Sequence, residues 1–396
     1  MGGLLRRVRA RLDYAAFIGA REWPVLVAGV GVLLGAVTVL PSSFGVVLSV
    51  VALVLGVTTF ARDVRLTRAR WSAHEFSVIA APFPHAEVPP PARYPDARYL
   101  AVPGRGTALV SDELDEAVRG ADRPVEVLEE PYRLPPFLRA TAPHVLPLRA
   151  RGRTLFNGRV VGLLDEPAGT GPVRLRHARF FDGECSNELC SLRIVDRASG
   201  EEFDPRRRLL TDPEGRVRPL AGSELADLVG ISTIATTTDD HLVLVVQSQR
   251  NTASPLLLAP SGSGTLEPRD LAGTLHASVR AGMERELREE TGLRAEEIGS
   301  TRVVGFARWM ERGAKPEFFG VTALTVSSAD VRGRRAKGAE RLYSSPVLVV
   351  PFDLAAAGRR LAAGADLLAC VPERVRDDGS LPLLLAIRAA ASAGAR

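Results

Sequence analysis

The stretch RELREETGL, residues Arg285–Leu293, decides how this chain is interpreted. On a helix, Glu286, Glu289 and Glu290 stand at positions i, i+3 and i+4, so their carboxylates share one face. Carboxylate oxygens are ligands that magnesium and manganese prefer, and such an ion neutralises charge on phosphoryl oxygens. Arg285 lies four residues before Glu289 and can pair with it. The spacing outlines a site for a divalent metal, although the charge pattern alone favours a solvated helix of alternating glutamate and arginine.

The residues before this stretch predict two strands, a loop and a helix. The apolar run His241–Gln247 is typical of a buried strand, and Pro255–Pro260 of a second, shorter one. Ser261–Gly264 reads as a glycine loop. Asp270 stands where a helix N-cap is expected, and Gly292 stands where the helix should stop. The stretch that carries the three glutamates is therefore the second half of one helix.

The residues after this helix predict further strands and two helices. Apolar runs at Val303–Phe306, Phe318–Val326 and Val347–Phe352 indicate strands. Helices are predicted over Leu354–Ala369 and Leu381–Ala391. Alternation of this kind favours a sheet covered by helices, an α/β sandwich.

The order of residue types over Arg285–Leu293 resembles the second half of the Nudix box, the loop-helix-loop signature of Nudix hydrolases. The resemblance covers roughly Ile231–Phe352. It implies a Nudix-like α/β/α sandwich with a mixed sheet. It also implies hydrolysis of a phosphoanhydride bond in a nucleoside diphosphate derivative, with magnesium or manganese as the cofactor. Glu286, Glu289 and Glu290 would be the metal ligands, and Arg285 the orienting ion-pair residue.

The first half of the box departs from the family pattern. Leu271 and Ala277 occupy the positions of the expected glycine and glutamate. Glu267 and Asp270 are candidate substitutes for the missing carboxylate, although neither stands at the family spacing. The alternative to a hydrolase is therefore an inactive Nudix fold that binds or senses a nucleotide or nucleotide sugar.

Other residues near the helix are weaker candidates. Glu317 and Glu340 could supply a general base, although a surface position is the plainer interpretation for each. Phe318 and Phe319 are interpreted as core residues rather than as base-stacking residues. His276 falls near the helix start, where it could contact a ligand phosphate or serve only as a surface or capping residue.

The N-terminal part of the chain contains a long uncharged block. Pro24–Phe60 holds no charged residue and divides at Pro41–Ser43 into two apolar runs. Two short transmembrane helices are predicted, because each run is about 17 residues long. Arginines flank both outer ends, so both termini and the remaining chain are expected in the cytoplasm. A signal peptide and a buried hairpin of a soluble domain are the alternatives.

These patterns divide the chain into five predicted parts. The segment Leu146–Gly230 is either a substrate-selecting subdomain or a dimer interface, which leaves a homodimer open. The parts are 1–23, an arginine-rich cytoplasmic N-terminus; 24–60, a transmembrane helical hairpin; 61–145, a proline-rich linker and juxtamembrane segment; 146–230, a β-rich extension; and 231–396, the Nudix-like domain.

The composition argues against two classes of protein. Acidic residues are interspersed with the arginines, whereas a nucleic-acid-binding surface gathers basic and aromatic residues on one face, so no nucleic-acid partner is expected. Cys185, Cys190 and Cys370 are too few for a disulfide framework or a four-ligand zinc site. The expected partner is a nucleotide-type small molecule.

Overall fold

A computed structural model describes most of the chain, which forms two compact units. Unit 1 comprises Met1–Ile79, Pro135–Asn157 and Ile194–Phe203, and unit 2 comprises Ala80–Leu134, Gly158–Arg193 and Asp204–Arg396. The division into five predicted parts stays a prediction. The described residues are 2–19, 29, 53–54, 56–65, 76–81, 83–84, 86–150, 155–197, 199–248, 254, 256–336 and 346–394.

Helices and strands follow one another in mixed order along the described residues. The helices are α1 Gly2–Gly19, α2 Asp112–Arg119, α3 Pro136–Ala150, α4 Phe180–Glu184, α5 Pro205–Leu209, α6 Leu275–Thr291, α7 Ser328–Val331, α8 Leu354–Ala362, α9 Glu373–Asp378 and α10 Leu381–Gly394. The strands are β1 Phe76–Ala80, β2 Arg98–Val102, β3 Gly106–Val110, β4 Val125–Leu128, β5 Arg159–Leu163, β6 Val173–Arg179, β7 Leu192–Asp196, β8 Glu202–Phe203, β9 Gly230–Thr236, β10 His241–Val246, β11 Leu258–Ala259, β12 Gly262–Thr265, β13 Ile298–Trp309, β14 Lys315–Leu324 and β15 Leu348–Pro351.

Unit 1 contains α1, α3 and most of a small sheet in the order β1-β7-β8. Strands β7 and β8 pair antiparallel, with Ile194 opposite Phe203. The ring of Phe203 also meets the ring of Phe137 on α3 edge-on, at 5.9 Å between centroids. An aromatic contact thus joins α3 to the sheet within this unit.

Unit 2 is built on a mixed sheet in the order β11-β10-β9-β14-β13-β3-β2, to which β12 adds beside β9 and β15 beside β10. Strands β14 and β9 run parallel, with Glu317 opposite Gly230, and the other described pairs of this sheet are antiparallel. A second small sheet has the order β4-β6-β5. The prediction of a mixed α/β fold is therefore confirmed.

Helices α6 and α10 cover opposite faces of the large sheet. Phe318 packs in a buried cluster with Met283 of α6, whereas the next residue, Phe319, packs in a cluster with Leu384 of α10. Successive side chains of a strand point to opposite faces, which accounts for this division. The predicted layers of an α/β/α sandwich are present in unit 2, and both phenylalanines are core residues.

Helix α6 begins later than its sequence pattern predicts. Its N-cap is Thr274, whose side chain accepts a hydrogen bond from the backbone N–H of Ala277. The predicted cap, Asp270, lies instead in a short 3₁₀ turn, because its carboxylate is bound by Arg285. The predicted end is confirmed: Gly292 has φ 75° and its N–H donates to the last turn.

The predicted location in a membrane is wrong. A spanning helix needs about 20 consecutive apolar residues. No helix among the described residues is long and apolar enough to cross a bilayer, and α1 carries four arginines along its 18 residues. Of the predicted hairpin, 24–60, only residues 29, 53–54 and 56–60 are described, and the rest lies outside the described residues.

Candidate functional site

Arg285 stands at the centre of the candidate site, on the middle of α6. Its side chain is 8% exposed, and that of Asp270 is 4% exposed. Nε donates to Asp270 Oδ1 at 2.9 Å and Nη2 donates to Oδ2 at 2.8 Å, which is a bidentate ion pair. Nη2 also donates to the carbonyl oxygen of Thr265 at 3.1 Å. Paired bonds of this kind hold a guanidinium in one orientation.

Three further carboxylates approach the same guanidinium. Nη1 of Arg285 donates to Glu286 Oε1 at 2.7 Å and lies 3.5 Å from Glu289 Oε2. Glu267 Oε1 is 3.9 Å away. Burial opposes the charge on Arg285, but the carboxylates of Asp270 and Glu286 raise its pKa above the usual range. The structure therefore brings together the predicted Arg285, Glu286 and Glu289 with both predicted substitute carboxylates.

Glu290 points to a different partner. Its Oε2 accepts a hydrogen bond from the backbone N–H of Ser263 on β12, at 3.0 Å. The predicted glycine loop is in fact this strand, which pairs with β9 in register from Gly262 to Thr265. Glu290 thus ties α6 to the neighbouring strand, while Glu286 and Glu289 face Arg285.

Two glycines of β12 allow α6 to approach this closely. A Cβ atom at Gly264 would overlap the Glu286 carboxylate, and a Cβ atom at Gly262 would lie 2.5 Å from the backbone nitrogen of Leu287. These glycines do not stand at the Nudix-box spacing, but the close contact explains why glycine occupies both positions.

Alanine at these glycines is expected to reduce stability in a graded way. Gly262→Ala should lower the free energy of unfolding by about 3 kcal/mol, because the new methyl group meets helix backbone that cannot move alone. Gly264→Ala should cost about 1 kcal/mol, because a carboxylate can turn aside. Urea denaturation measures both, with Gly222→Ala as the control, since a Cβ there meets only Arg218 at 3.8 Å. Equal losses at Gly262 and Gly222 would contradict the close-contact explanation.

A cavity of about 640 Å³ adjoins the Arg285 cluster. It contains more positive than negative side chains, since four arginines and two acids line it. Arg269 pairs with Glu267 at 2.7 Å and with Glu289 at 3.4 Å, which links the cavity wall to the cluster. Arg269, Arg288 and Arg294 carry no signal in the sequence, because arginine is abundant throughout the chain. The charged lining residues are Arg269, Asp270, Arg285, Arg288, Glu289 and Arg294.

The donor set suits a magnesium or manganese ion in its chemistry. Glu286, Glu289 and Glu290 offer the oxygen ligands that these ions prefer. Their carboxylates are nevertheless bound to Arg285 and to the N–H of Ser263, and no three His, Cys, Asp or Glu side chains of the described residues are arranged around one metal position. An ion would have to draw these carboxylates away from their present partners.

The candidate general bases lie elsewhere. Glu317 is buried and does not lie at the surface. It accepts hydrogen bonds from Ser232 at 2.7 Å and from Lys315 at 3.1 Å. Its strand places it on the face opposite Phe318, and hence on the face away from α6. Burial lowers the pKa of Lys315, and the charge of Glu317 opposes this shift. Glu340 lies outside the described residues.

Some solved structures are similar to part of this chain. A Deinococcus radiodurans protein is 16% identical, overlaps 39% of this chain and 88% of its own, and has a TM-score of 0.23. A MutT protein from Methanosarcina mazei is 16% identical, overlaps 38% of this chain and 89% of its own, and has a TM-score of 0.24. A third structure, described as a candidate Nudix hydrolase, is 11% identical over 40% of this chain and 71% of its own, with a TM-score of 0.23. No family model and no curated protein matches the chain.

Proposed function

We propose that unit 2 hydrolyses a phosphoanhydride bond of a nucleoside diphosphate derivative, with magnesium or manganese. The observation that carries this proposal is the gathering of acidic side chains around Arg285 beside a cavity rich in arginine. The Nudix-box resemblance of Arg285–Leu293 supports the same reaction. A guanidinium group binds phosphate through two parallel hydrogen bonds to its oxygens. Arg269, Arg288 and Arg294 therefore suit a diphosphate.

In this proposal the three glutamates of α6 share one role, and Glu289 has a second role. Glu286, Glu289 and Glu290 would hold the ion, which neutralises charge on the phosphoryl oxygens when it is bound. Glu289 is the acid that both lines the cavity and is 37% exposed, so it would orient the attacking water and accept its proton. Asp270 holds Arg285, which in turn positions Glu286 and Glu289.

A binding or sensing module is the second candidate. Two observations favour it: Ala277 occupies the position of the expected glutamate, and no three acidic side chains of the described residues surround a single metal position. Both candidates require nucleotide binding in the cavity. Metal-dependent turnover separates them.

The deciding experiment incubates the full chain and magnesium with nucleoside diphosphate sugars, ADP-ribose, dinucleotides and nucleoside triphosphates, and measures the phosphate-containing products. Turnover of one of these is expected. Glu289→Gln should reduce kcat by about 100-fold, because the preorganised carboxylate is lost at the reacting centre. Glu284→Gln, on the same helix but outside the cavity lining, is the matched control and should retain full activity.

Two results would count against this proposal. Tight binding of one compound without turnover would support the sensor. Turnover that survives Glu289→Gln at the control rate would remove Glu289, and the cluster around it, from the reaction.

A further inference from the structure

A second cavity, of about 340 Å³, lies at the N-terminal half of α6, away from Glu289. Arg119 reaches it from the end of α2, His276 and Arg280 from α6, and Arg302 from β13. Val304 contributes to its strand wall. We call this cavity the basic groove.

The basic groove carries an unbalanced positive charge. Three arginines line it and no acidic side chain does. Among the described residues, the guanidinium groups of Arg280 and Arg302 have no ion pair and no hydrogen bond. Several arginines elsewhere in unit 2, such as Arg285 and Arg334, are paired with carboxylates. Like charges brought together repel one another unless an anion compensates them.

The groove is partly held in shape by the protein itself. Arg119 Nη1 donates to the carbonyl oxygen of Val304 at 3.1 Å, which fixes one guanidinium at the edge of β13. Asp122, an acid beside the start of α6, is already engaged: it accepts the backbone N–H of His276 at 2.8 Å and the hydroxyl of Thr274 at 2.6 Å, and it lies 3.8 Å from His276 Nδ1. Asp122 therefore binds the start of α6, and among the described residues it does not pair with Arg280 or Arg302.

We propose that the basic groove binds the phosphate group of a small phosphorylated molecule. Its volume falls near the lower end of the range for small-molecule sites. Guanidinium groups recognise phosphate through paired hydrogen bonds, and the three guanidinium groups that converge here come from three separate elements. The proposal does not rest on hydrolysis at α6, because none of the residues of the groove belongs to the Arg285 cluster.

Equilibrium dialysis of the full chain against labelled inorganic phosphate, at constant ionic strength and neutral pH, tests the groove. The number of phosphate ions bound per chain also includes any ion in the cavity beside the Arg285 cluster. The phosphate bound by the groove variant is therefore compared with that bound by the parent chain. The double substitution Arg280→Gln with Arg302→Gln should remove one bound phosphate per chain, or weaken that site by about tenfold or more, because hydrogen bonds to charged groups are lost.

The matched control removes the same charge from another exposed place, with Arg359→Gln and Arg360→Gln on α8. It should leave the phosphate count and Kd unchanged. An unchanged count in the groove variant would overturn the proposal. Equal losses in the two double variants would also overturn it, because they would show a general charge effect. Unchanged thermal unfolding of each variant shows that the fold is intact.

Discussion

Replacing Arg285 with glutamine is expected to lower the free energy of unfolding by about 3–5 kcal/mol, because it leaves Asp270 buried as an uncompensated charge. Asp270 is held by both Nε and Nη2, and its side chain is only 4% exposed. Arg288→Gln, an exposed arginine one turn away, should change stability by no more than about 0.5 kcal/mol. Urea denaturation at pH 7 measures both variants.

A second substitution identifies which carboxylate is the main ion-pair partner of Arg285. Adding Asp270→Asn to Arg285→Gln should recover part of the loss, since the unpaired charge disappears. Adding Glu267→Gln should recover little, because Glu267 lies 3.9 Å from Arg285 and is partly exposed. Equal recovery by the two substitutions would show that Asp270 is not the main partner.

Replacing Glu317 with glutamine should have a comparable effect on the other face of the sheet. Lys315 and Glu317 are both buried, so the variant leaves an ammonium group without its counter-charge, at a cost of about 3–5 kcal/mol at pH 7. Asp165→Asn, at an exposed pair with Arg174, should cost no more than about 1 kcal/mol. Urea denaturation of both variants gives the comparison.

The loss in Glu317→Gln should depend on pH in a defined direction. Burial already lowers the pKa of Lys315, and removal of Glu317 lowers it further. The folded state then binds fewer protons than the unfolded state below the usual lysine pKa, so stability rises with pH. The deficit relative to the parent chain should therefore be smaller at pH 9 than at pH 7. A deficit that grows with pH would contradict an ion pair with protonated Lys315.

Local patterns in the sequence predicted much of the fold. Three features depend on residues only a few positions apart. They are the strand His241–Val246, the end of α6 at Gly292 and the contact between Arg285 and Glu289. The start of α6 did not follow, because Asp270 has the residue type of an N-cap but is bound by Arg285 15 residues later. A cap and an ion pair compete for the same carboxylate, and spacing alone does not rank them.

The sequence by itself determined that the carboxylates of RELREETGL share one helical face, because a helical period acts between neighbours. Only the tertiary structure decided where they point: Glu290 turns to the N–H of Ser263, and Glu286 turns to Arg285 beside Gly264. The basic groove was likewise decided by folding, since it joins residues from α2, α6 and β13. Contacts between distant residues depend on how the sheet packs against its helices. No repeating pattern in the sequence predicts that packing.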